Sequence, residues 1–494
     1  MAASRERELK LDVPNEFSLI RLAKRLGRFR LSAPELHRLH TTYYDTDDLR
    51  LARWGASLRY RQGEGWTLKL AGPAKSGAVY RTEHTFTGDP DRIPDAALDL
   101  AAALLRGRQP RPLADLRTLR TQRNVCTARG STVAEVVEDD VRVLRSNQLV
   151  DRFRQLEVEL RAAASSALLP RLEQQLRKRG AGKVNPVAKS AIALAEGRLE
   201  PALPTMRLHD NATIFELVRA TLAVSVDCLV RTDPILRASP NPGAVHDARV
   251  AVRKLRSHLR TFAPITDREW ADELGERLHW LGQVLGTARD ADVLVAGLAQ
   301  YVERLPVTDR RHAEQALAPY RERRDAAYQK LQHALRDAAY TELLDAMIAA
   351  ANAPRVCRPQ RSAASVVPQL MQRVWKKLRK RVRRAGAEPT DHDLHRIRIQ
   401  AKHVRYAAEA LTPIVGHAAR RFARRAEELQ ALLGKQHDAV AAGIALRAHA
   451  PAGVHAFSFG EFAALEQADA RRYRERFPRC WQHLARPKRR RFWV

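Results

Sequence analysis

Cysteine is scarce in this chain of 494 residues, and the four cysteines lie far apart. They are Cys126, Cys228, Cys357 and Cys480, and no two of them form a Cys-x-x-Cys pair. This spacing argues against a structural zinc site and against a disulfide framework. A reducing, cytoplasmic setting is therefore expected.

Long hydrophobic runs are also lacking. No segment approaches the roughly 20 apolar residues that a membrane span requires, although hydrophobic residues make up 45% of the chain and can build cores. The first residues contain no apolar segment of the kind found in secretory signals, so neither membrane insertion nor secretion is expected. No Walker-type glycine loop stands out, which argues against an ordinary P-loop NTPase. No cysteine or serine motif stands out as a nucleophile either.

Acidic residues are outnumbered along the whole chain. There are 87 Lys and Arg residues against 56 Asp and Glu residues, a formal net charge of +31. Such a balance attracts polyanions, which include nucleic acid, anionic lipid and free or condensed phosphates. Aromatic residues make up only 6% and are nearly absent from the basic helices, Tyr406 excepted. Because bases stack on aromatic side chains, this scarcity favours phosphates without bases.

The sequence predicts an α+β protein that changes character near residue 200. Short alternating segments separated by glycine and proline fill residues 1–165 and predict an antiparallel sheet or barrel, with helices over 16–28 and 165–179. Beyond the prolines of Leu199–Pro204, helical periodicity dominates. The predicted domains are 1–198, a linker at 199–208, and an all-α domain at 209–490 with two repeats, about 209–351 and 362–485.

A row of charges at strand spacing opens the chain: Glu6, Glu8 and Lys10. A strand points residues i, i+2 and i+4 to one face, and like charges so close repel unless something binds between them. A divalent metal on the glutamates and an anion on the lysine would resolve that conflict. Taken alone, the motif is equally compatible with a solvated edge strand. Similar rows recur at Arg59/Arg61, Lys69, Arg81/Glu83, Glu135/Asp139 and Glu157/Glu159.

The helical half contains an internal duplication. His246 is followed by Arg249, Arg253 and Arg256 at the same offsets at which His395 is followed by Arg398, Lys402 and Arg405. Segment 285–290 likewise corresponds to 433–438 at nearly the same shift. At about 100° per residue these offsets place each set within one helix face. A solvated basic face is the ordinary interpretation of one such run, but its repetition favours a polyanion site.

The N-terminal pattern resembles the CYTH family, the triphosphate tunnel metalloenzymes, over residues 4–198. The resemblance includes the Glu-x-Glu-x-Lys start, the segment Tyr43-Tyr44-Asp45-Thr46 before the Arg-x-Arg strand, and the late Glu-x-Glu pair. It implies an antiparallel β-tunnel that binds a linear triphosphate, or a longer chain, with one or two Mg²⁺ or Mn²⁺ ions.

The resemblance also implies individual roles. The cations expected to hold phosphate oxygens are Lys10, Arg59, Arg61, Lys69, Arg81, Arg123 and Lys189. The carboxylates expected to bind metal or orient water are Glu6, Glu8, Glu83, Asp139, Glu157 and Glu159. The residues expected to be catalytic are Glu6, Glu8, Lys10, Lys69 and Arg81. Arg120 is an alternative to Arg123. Glu138 and Asp140 are alternatives to Asp139, which alternation from Glu135 favours over Asp140.

The helical half resembles the CHAD family, the conserved-histidine α-helical domain, over residues 209–485. That family has two pseudo-symmetric helical bundles and is associated with inorganic polyphosphate. The polyphosphate-binding residues implied are His246, Arg249, Arg253, Arg256, His395, Arg398, Lys402 and Arg405. Segment 289–292 fits the family's Arg-Asp-x-Asp element, whereas segment 437–440 keeps only its first aspartate.

Together these features predict a metal-dependent hydrolase of inorganic triphosphate or short polyphosphate, with a helical domain that binds longer polyphosphate in the cytoplasm or on polyphosphate granules. One alternative is a non-catalytic polyphosphate-binding protein of such granules. Another is a tunnel enzyme that uses nucleotides or thiamine triphosphate, such as an adenylate cyclase. Nucleic acid is the least favoured partner. Oligomeric state and metal preference are not readable from the sequence.

Overall fold

The chain divides into two compact units, Met1–Ala202 and Leu203–Val494, and the division falls within the predicted linker. The structure, a computed structural model, describes residues 3–5, 8–22, 25–72, 81–161, 164–165, 167–185, 187–195, 199–204, 208–209, 211–304, 307, 310–311, 314, 317–448 and 455–493. Glu6 lies outside the described residues. Arg81 is described only as a backbone position in a strand.

The first unit is built on one antiparallel sheet. Its described strands are β1 (Ala3–Arg5), β2 (Glu8–Asp12), β3 (Arg25–Leu26), β4 (Phe29–Leu31), β5 (Glu35–Asp45), β6 (Ser57–Arg61), β7 (Gly65–Ala71), β8 (Arg81–Phe86), β9 (Arg111–Cys126), β10 (Thr132–Arg145) and β11 (Gln148–Leu160). Its described helices are α1 (Arg50–Arg53), α2 (Asp95–Leu100), α3 (Ala102–Leu105), α4 (Leu168–Arg177) and α5 (Lys189–Ala195).

The order of strands shows that the sheet curls. The order is β1-β8-β7-β6-β5-β9-β10-β11-β2, with β4 paired to β9 and β3 to β4. The two edge strands, β1 and β2, are therefore almost consecutive in the chain. Three Cα steps join Arg5 to Glu8, so these residues lie at most about 11 Å apart. The predicted antiparallel β-tunnel is confirmed.

The two faces of the sheet have opposite chemistry. Along β10, Ala134 and Val136 point to a buried apolar core, whereas Glu135 and Asp139 point to the other face. That core includes Leu156 and residues of α4, such as Leu172, so it lies outside the curl. The charged face consequently lines the inside.

The helix predicted over 16–28 is wrong, because the described residues of that segment form turns and the short strand β3, which pairs with β4. Its apolar residues, including Phe17 and Leu19, pack onto the outer core. The Leu19 N–H donates to the Glu138 carboxylate at 2.6 Å, and the carbonyls of Leu19 and Leu22 accept hydrogen bonds from Arg123. Tertiary partners thus replace the hydrogen bonds that a helix would form.

The second unit is all-helical in its described part. Its helices are α6 (Ile214–Ala238), α7 (Pro242–Phe262), α8 (Arg268–Arg304), α9 (Ala318–Arg336), α10 (Ala338–Asn352), α11 (Val367–Ala385), α12 (Asp391–Val415), α13 (His417–Ala448) and α14 (His455–Ala485), with short 3₁₀ turns at Ala363–Val366 and Pro487–Arg489. Capping boxes begin α6 at Thr213 and α12 at Thr390. None of the described helices combines the length and apolarity of a membrane span.

Both copies of the repeat pack in the same way. The Arg249 guanidinium of α7 lies against Gly286 of α8 and donates to Asp290 at 2.6 Å. In the second copy Arg398 of α12 lies against Gly434 of α13, with Asp438 4.0 Å away. The equivalent contacts confirm two pseudo-symmetric bundles.

Helix α6 contains two Asp–Arg ion pairs at i,i+4 spacing, of which one is buried and the other is partly exposed. Asp233 accepts from Arg237 at 2.6 Å and from the Tyr340 hydroxyl at 2.8 Å, and its carboxylate is fully buried. Asp227 accepts from Arg231 at the same distance and i,i+4 spacing but is partly exposed.

Asp233→Ala is expected to destabilise the helical unit by about 3–5 kcal/mol, because it leaves a buried guanidinium without its partner. Asp227→Ala, the matched control, is expected to cost at most about 1 kcal/mol. Chemical denaturation followed by circular dichroism measures both. Equal losses in the two variants would contradict the burial argument.

Candidate functional site

The inner face of the curled sheet carries a chain of alternating charges. Its members, in order of contact, are Arg120, Asp139, Lys189, Glu157, Lys10 and Glu8. Arg120 holds Asp139 with two hydrogen bonds of 2.8 Å, and Lys189 lies 2.5 Å from Asp139 and 2.6 Å from Glu157. Lys10 continues the chain at 3.3 Å to Glu157 and 3.0 Å to Glu8.

Strand register creates this arrangement. Asp139 of β10 is directly opposite Arg120 of β9, and Glu157 of β11 is directly opposite Lys10 of β2. Lys189, the first residue of α5, reaches in to join the two pairs. Four strands and one helix therefore meet at one polar cluster.

Burial and pairing oppose each other in setting these pKa values. Burial raises the pKa of the Asp139 carboxyl, but Lys189 and Arg120 outweigh that effect and hold it below its ordinary value. Burial likewise lowers the pKa of Lys189, and Glu157 and Asp139 more than compensate. The pKa of Glu157 is held well below its ordinary value by Lys189 and Lys10, despite its burial. These groups stay ionised at neutral pH.

A second charged group lies on strands β6 to β8. Glu83 accepts from Lys69 at 3.3 Å and lies 3.6 Å from Arg59. Arg61 donates to Thr41 at 3.0 Å and pairs with Glu64 at 3.0 Å. Burial, followed by repulsion from Arg59, lowers the pKa of Arg61. Two neighbouring guanidiniums with partial neutralisation are suited to an anionic ligand.

Arg123 does not fit the predicted role of holding phosphate. Its guanidinium donates to the carbonyls of Ser32 at 2.8 Å and Leu22 at 2.7 Å, on the outer side of the sheet. Arg120, three residues earlier on β9, points to the inner face. Glu138 also belongs to the outer side, where it pairs with Arg154 and accepts from Leu19.

The inner face becomes apolar beyond the charged section. Along β9 and β10 the inward positions continue from Arg120 and Asp139 to Leu116 and Val141, which are buried with Tyr43. Ala193 of α5 packs into the same cluster. Helix α5 therefore contributes a cation to the charged section and apolar contacts to the adjoining section.

Carboxylates also form a row across three neighbouring strands. Glu8 of β2 is opposite Glu159 of β11, which is opposite Glu135 of β10. Hard oxygen donors suit Mg²⁺ or Mn²⁺, so the chemistry of this donor set fits a divalent cation. Among the residues that the structure describes, no three such side chains converge as ligands. Glu8 and Glu157 both pair with Lys10 instead.

The duplicated basic helices form one site in the second unit. Helices α7 and α12 pack together, with Arg253 donating to the Tyr406 hydroxyl at 3.0 Å and Ser257 hydrogen-bonded to His403 at 3.1 Å. We call the cations that converge there the central cluster: Arg249, Arg253, Arg398 and Lys402. Besides burial, Arg398, Arg253 and Arg249 each lower the pKa of Lys402, and Arg253 and Arg249 also lower that of Arg398, which shows that the four lie close together.

Of the eight residues predicted to bind polyphosphate, some lie at the central cluster and others lie away from it. His246 and His395 border the central cluster, since burial and the neighbouring cations lower the pKa of both rings. His395 also lies 3.3 Å from His437 between Nδ1 atoms. Arg405 instead pairs with Glu409 and Glu427, and burial together with Arg260 lowers the pKa of Arg256, away from the cluster.

Some contributors to the two sites were not predicted. Arg120 was only an alternative, and Tyr406 was noted as an aromatic exception without a role. Asp290 and Asp438 belong to the recognised repeat motif, but their pairing with Arg249 and Arg398 becomes evident only when α7 and α12 are placed beside α8 and α13.

The Lys402 amine should titrate far below an ordinary lysine. Burial, together with Arg398, Arg253 and Arg249, lowers its pKa to about 7, and Asp438 opposes this only in part. Arg398→Gln should raise the pKa of Lys402, because it removes the neighbouring cation that lowers this pKa most. An NMR titration of the Lys402 side chain, assigned with Lys402→Arg, measures the midpoint. Arg425→Gln is the control, and an equal change in both variants would contradict the assignment.

The sequence matches two domain families along its length. A model of the CYTH domain matches residues 4–190, and a model of the CHAD domain matches residues 220–447. An uncharacterized protein of Mycobacterium tuberculosis strain H37Rv is 29% identical over 495 residues, covering 92% of this chain and 91% of that protein.

Two solved structures overlap with about half of the chain. PptA from Streptomyces chartreusis is 18% identical and covers 55% of this chain and 100% of its own, with a TM-score of 0.45. The CHAD domain from the plant Ricinus communis is 26% identical and covers 55% of this chain and 89% of its own, with a TM-score of 0.40. From the two family matches, the chain consists of a CYTH domain followed by a CHAD domain.

Proposed function

We propose that the CYTH domain hydrolyses the terminal phosphoanhydride of inorganic triphosphate or short polyphosphate with Mg²⁺ or Mn²⁺, and that the CHAD domain binds longer polyphosphate. The observation that carries the catalytic part is the alternating chain of charges from Arg120 to Glu8. CYTH-domain proteins include triphosphatases and adenylate cyclases, which supports an enzyme acting on a triphosphate.

The alternating chain supports this function because it can exchange partners. A linear triphosphate offers anionic oxygens, and a divalent metal offers positive charge. When both bind, the cations can turn from carboxylates to phosphate and the carboxylates can turn from cations to metal. Binding therefore leaves no buried charge without a partner, and it adds no desolvation penalty for an unpaired charge.

Each group then has a definite task. The cations that would hold phosphate oxygens are Lys10, Arg59, Arg61, Lys69, Arg120 and Lys189. The carboxylates that would hold the metal are Glu8, Glu83, Asp139, Glu157 and Glu159, with Glu6 predicted from the sequence. Bound Mg²⁺ or Mn²⁺ supplies charge neutralisation and a water of lowered pKa. Phosphoryl transfer otherwise needs mainly positioning and neutralisation of charge, which these side chains provide.

The apolar section beside the charged section supports a short substrate. Leu116 and Val141 offer no partner to a phosphate, and a phosphate placed there would lose its hydration. The terminal phosphates of the substrate can therefore occupy the charged section, but the phosphate chain cannot continue into the apolar section. This favours cleavage at a terminal anhydride.

The central cluster supports polyphosphate binding by the CHAD domain. Four cations from two helices lie together, and the carboxylates that face Arg249 and Arg398, Asp290 and Asp438, are largely exposed. Unbalanced positive charge attracts a polyanion. The proposal places the protein in the cytoplasm, in part on polyphosphate granules. A fluorescent fusion that leaves the granules when the central cluster is neutralised would support this location.

Phosphate release is the direct test. Inorganic triphosphate, long-chain polyphosphate and ATP are each incubated with Mg²⁺, Mn²⁺ or EDTA. The proposal expects metal-dependent release that is fastest with triphosphate and abolished by EDTA. Pyrophosphate release from ATP would indicate a cyclase, and tight polyphosphate binding without any release would indicate a receptor.

Glu8→Ala is expected to reduce metal-dependent hydrolysis by at least about 100-fold, because it removes a predicted metal ligand. Among the described residues it also leaves Glu157 as the one carboxylate paired with Lys10. The matched control is Glu173→Ala on the surface helix α4, which should retain full activity. Circular dichroism checks that the fold is kept. Substantial turnover by folded Glu8→Ala would overturn the site assignment.

Neutralising the central cluster should separate the two activities. The variant with glutamine at 249, 253, 398 and 402 is expected to lose at least about tenfold in polyphosphate affinity at moderate salt, with triphosphate hydrolysis unchanged. The control replaces the same number of basic residues, the exposed Arg373, Lys376, Arg379 and Lys380 of α11. Equal loss of affinity in both variants would show that net charge, and not the central cluster, governs binding.

A further inference from the structure

Lys402 has no counter-ion of its own in the central cluster. It makes no hydrogen bond or ion pair within the described part of the chain, and its electrostatic neighbours are Arg398, Arg253, Arg249 and the more weakly felt Asp438. Lys254 on the facing helix α7 is the opposite case, because it pairs with Glu409 at 3.1 Å.

Two of the three arginines around Lys402 are held by hydrogen bonds. Arg249 is fixed by Asp290 and by the Gly286 carbonyl at 3.3 Å. Arg253 is fixed by the Tyr406 hydroxyl. Arg398 is half-buried beside Gly434, 4.0 Å from Asp438, and its Nε has no hydrogen-bond partner among the described residues. Guanidiniums grouped in this way can receive the oxygens of one phosphate group while Lys402 remains available.

We propose that Lys402 is an acylation site for acyl phosphates, the mixed anhydrides of a carboxylic acid and phosphoric acid. The arginines of the central cluster bind the phosphate end, which places the acyl carbon beside the Lys402 Nζ. The inference rests on the anion binding proposed for this cluster and adds a covalent step to it.

The step is a simple acyl transfer. The lone pair of the neutral Nζ attacks the acyl carbon and forms a C–N bond. The bond between that carbon and the bridging oxygen breaks, and inorganic phosphate leaves with the electron pair. The proton lost by nitrogen passes to the departing phosphate or to water. The products are an N-acyl-lysine and inorganic phosphate, and no oxidant or reductant is needed.

Like-charged neighbours prepare the amine for this attack. With the pKa of Lys402 near 7, about half of the amine is neutral at pH 7, against roughly 0.04% for a lysine with the ordinary pKa of 10.4. Charged groups that act on Lys402 or are acted on by it are the three arginines and Asp438, and also His395, His437 and His403. Acylation removes the charge permanently and should weaken polyphosphate binding.

The test treats the full-length protein with acetyl phosphate near pH 7 and follows each lysine by peptide mass spectrometry. Lys402 is expected to acetylate at least about tenfold faster than Lys254 or the exposed Lys377. Inorganic triphosphate should slow the reaction at Lys402 but not at Lys254 or Lys377. Acetic anhydride, which has no phosphate, should show a smaller preference for Lys402.

Two results would overturn the inference. One is acetylation of Lys402 no faster than that of Lys377. The other is an equal preference for Lys402 with acetic anhydride and acetyl phosphate, which would show that phosphate recognition does not direct the reaction. Polyphosphate affinity is measured separately: a cluster that binds polyphosphate but leaves Lys402 unreactive refutes the acylation site alone. Selective acylation without polyphosphate affinity refutes the proposed polymer binding and supports the acylation site.

Discussion

The pairing of buried opposite charges on the inner face of the sheet is the constraint on which the CYTH domain depends. A strand that places carboxylates inward must have a neighbour that places cations inward at the same level, because an isolated buried charge is far too costly. Register therefore matches Arg120 to Asp139 and Lys10 to Glu157. The ordinary apolar core is displaced to the outer face, where α4 covers it.

The CHAD domain uses the opposite arrangement. Its duplicated helices bring four cations together, and the carboxylates that face Arg249 and Arg398 are largely exposed. The first domain thus contains a balanced set of charges that can exchange partners, and the second contains an excess of one sign. Balance suits a site that must hold both metal and phosphate, and excess suits a site that holds a polyanion.

Local patterns in the sequence predicted the elements but not all of their partners. Alternation identified β6, β7, β10 and β11, and the equal spacing after His246 and His395 identified the repeat. The helix over 16–28 was wrong, because distant partners such as Glu138 decide the conformation of that segment. The choice between Arg120 and Arg123 likewise depended on which face of β9 is inside. That the two basic helices form a single site could not be read from spacing, which carries no information about how repeats pack.

The position of β2 at the closing edge of the sheet has a consequence for folding. Its partner, β11, lies far along the chain, since Asp12 pairs with Gln155. At about 5–20 residues per second, the ribosome needs roughly 7–30 s to synthesise the intervening chain. During that interval a segment with Glu8 and Lys10 has no partner strand, and its charges discourage pairing with other chains. The charges placed for the site therefore also act as gatekeepers during synthesis.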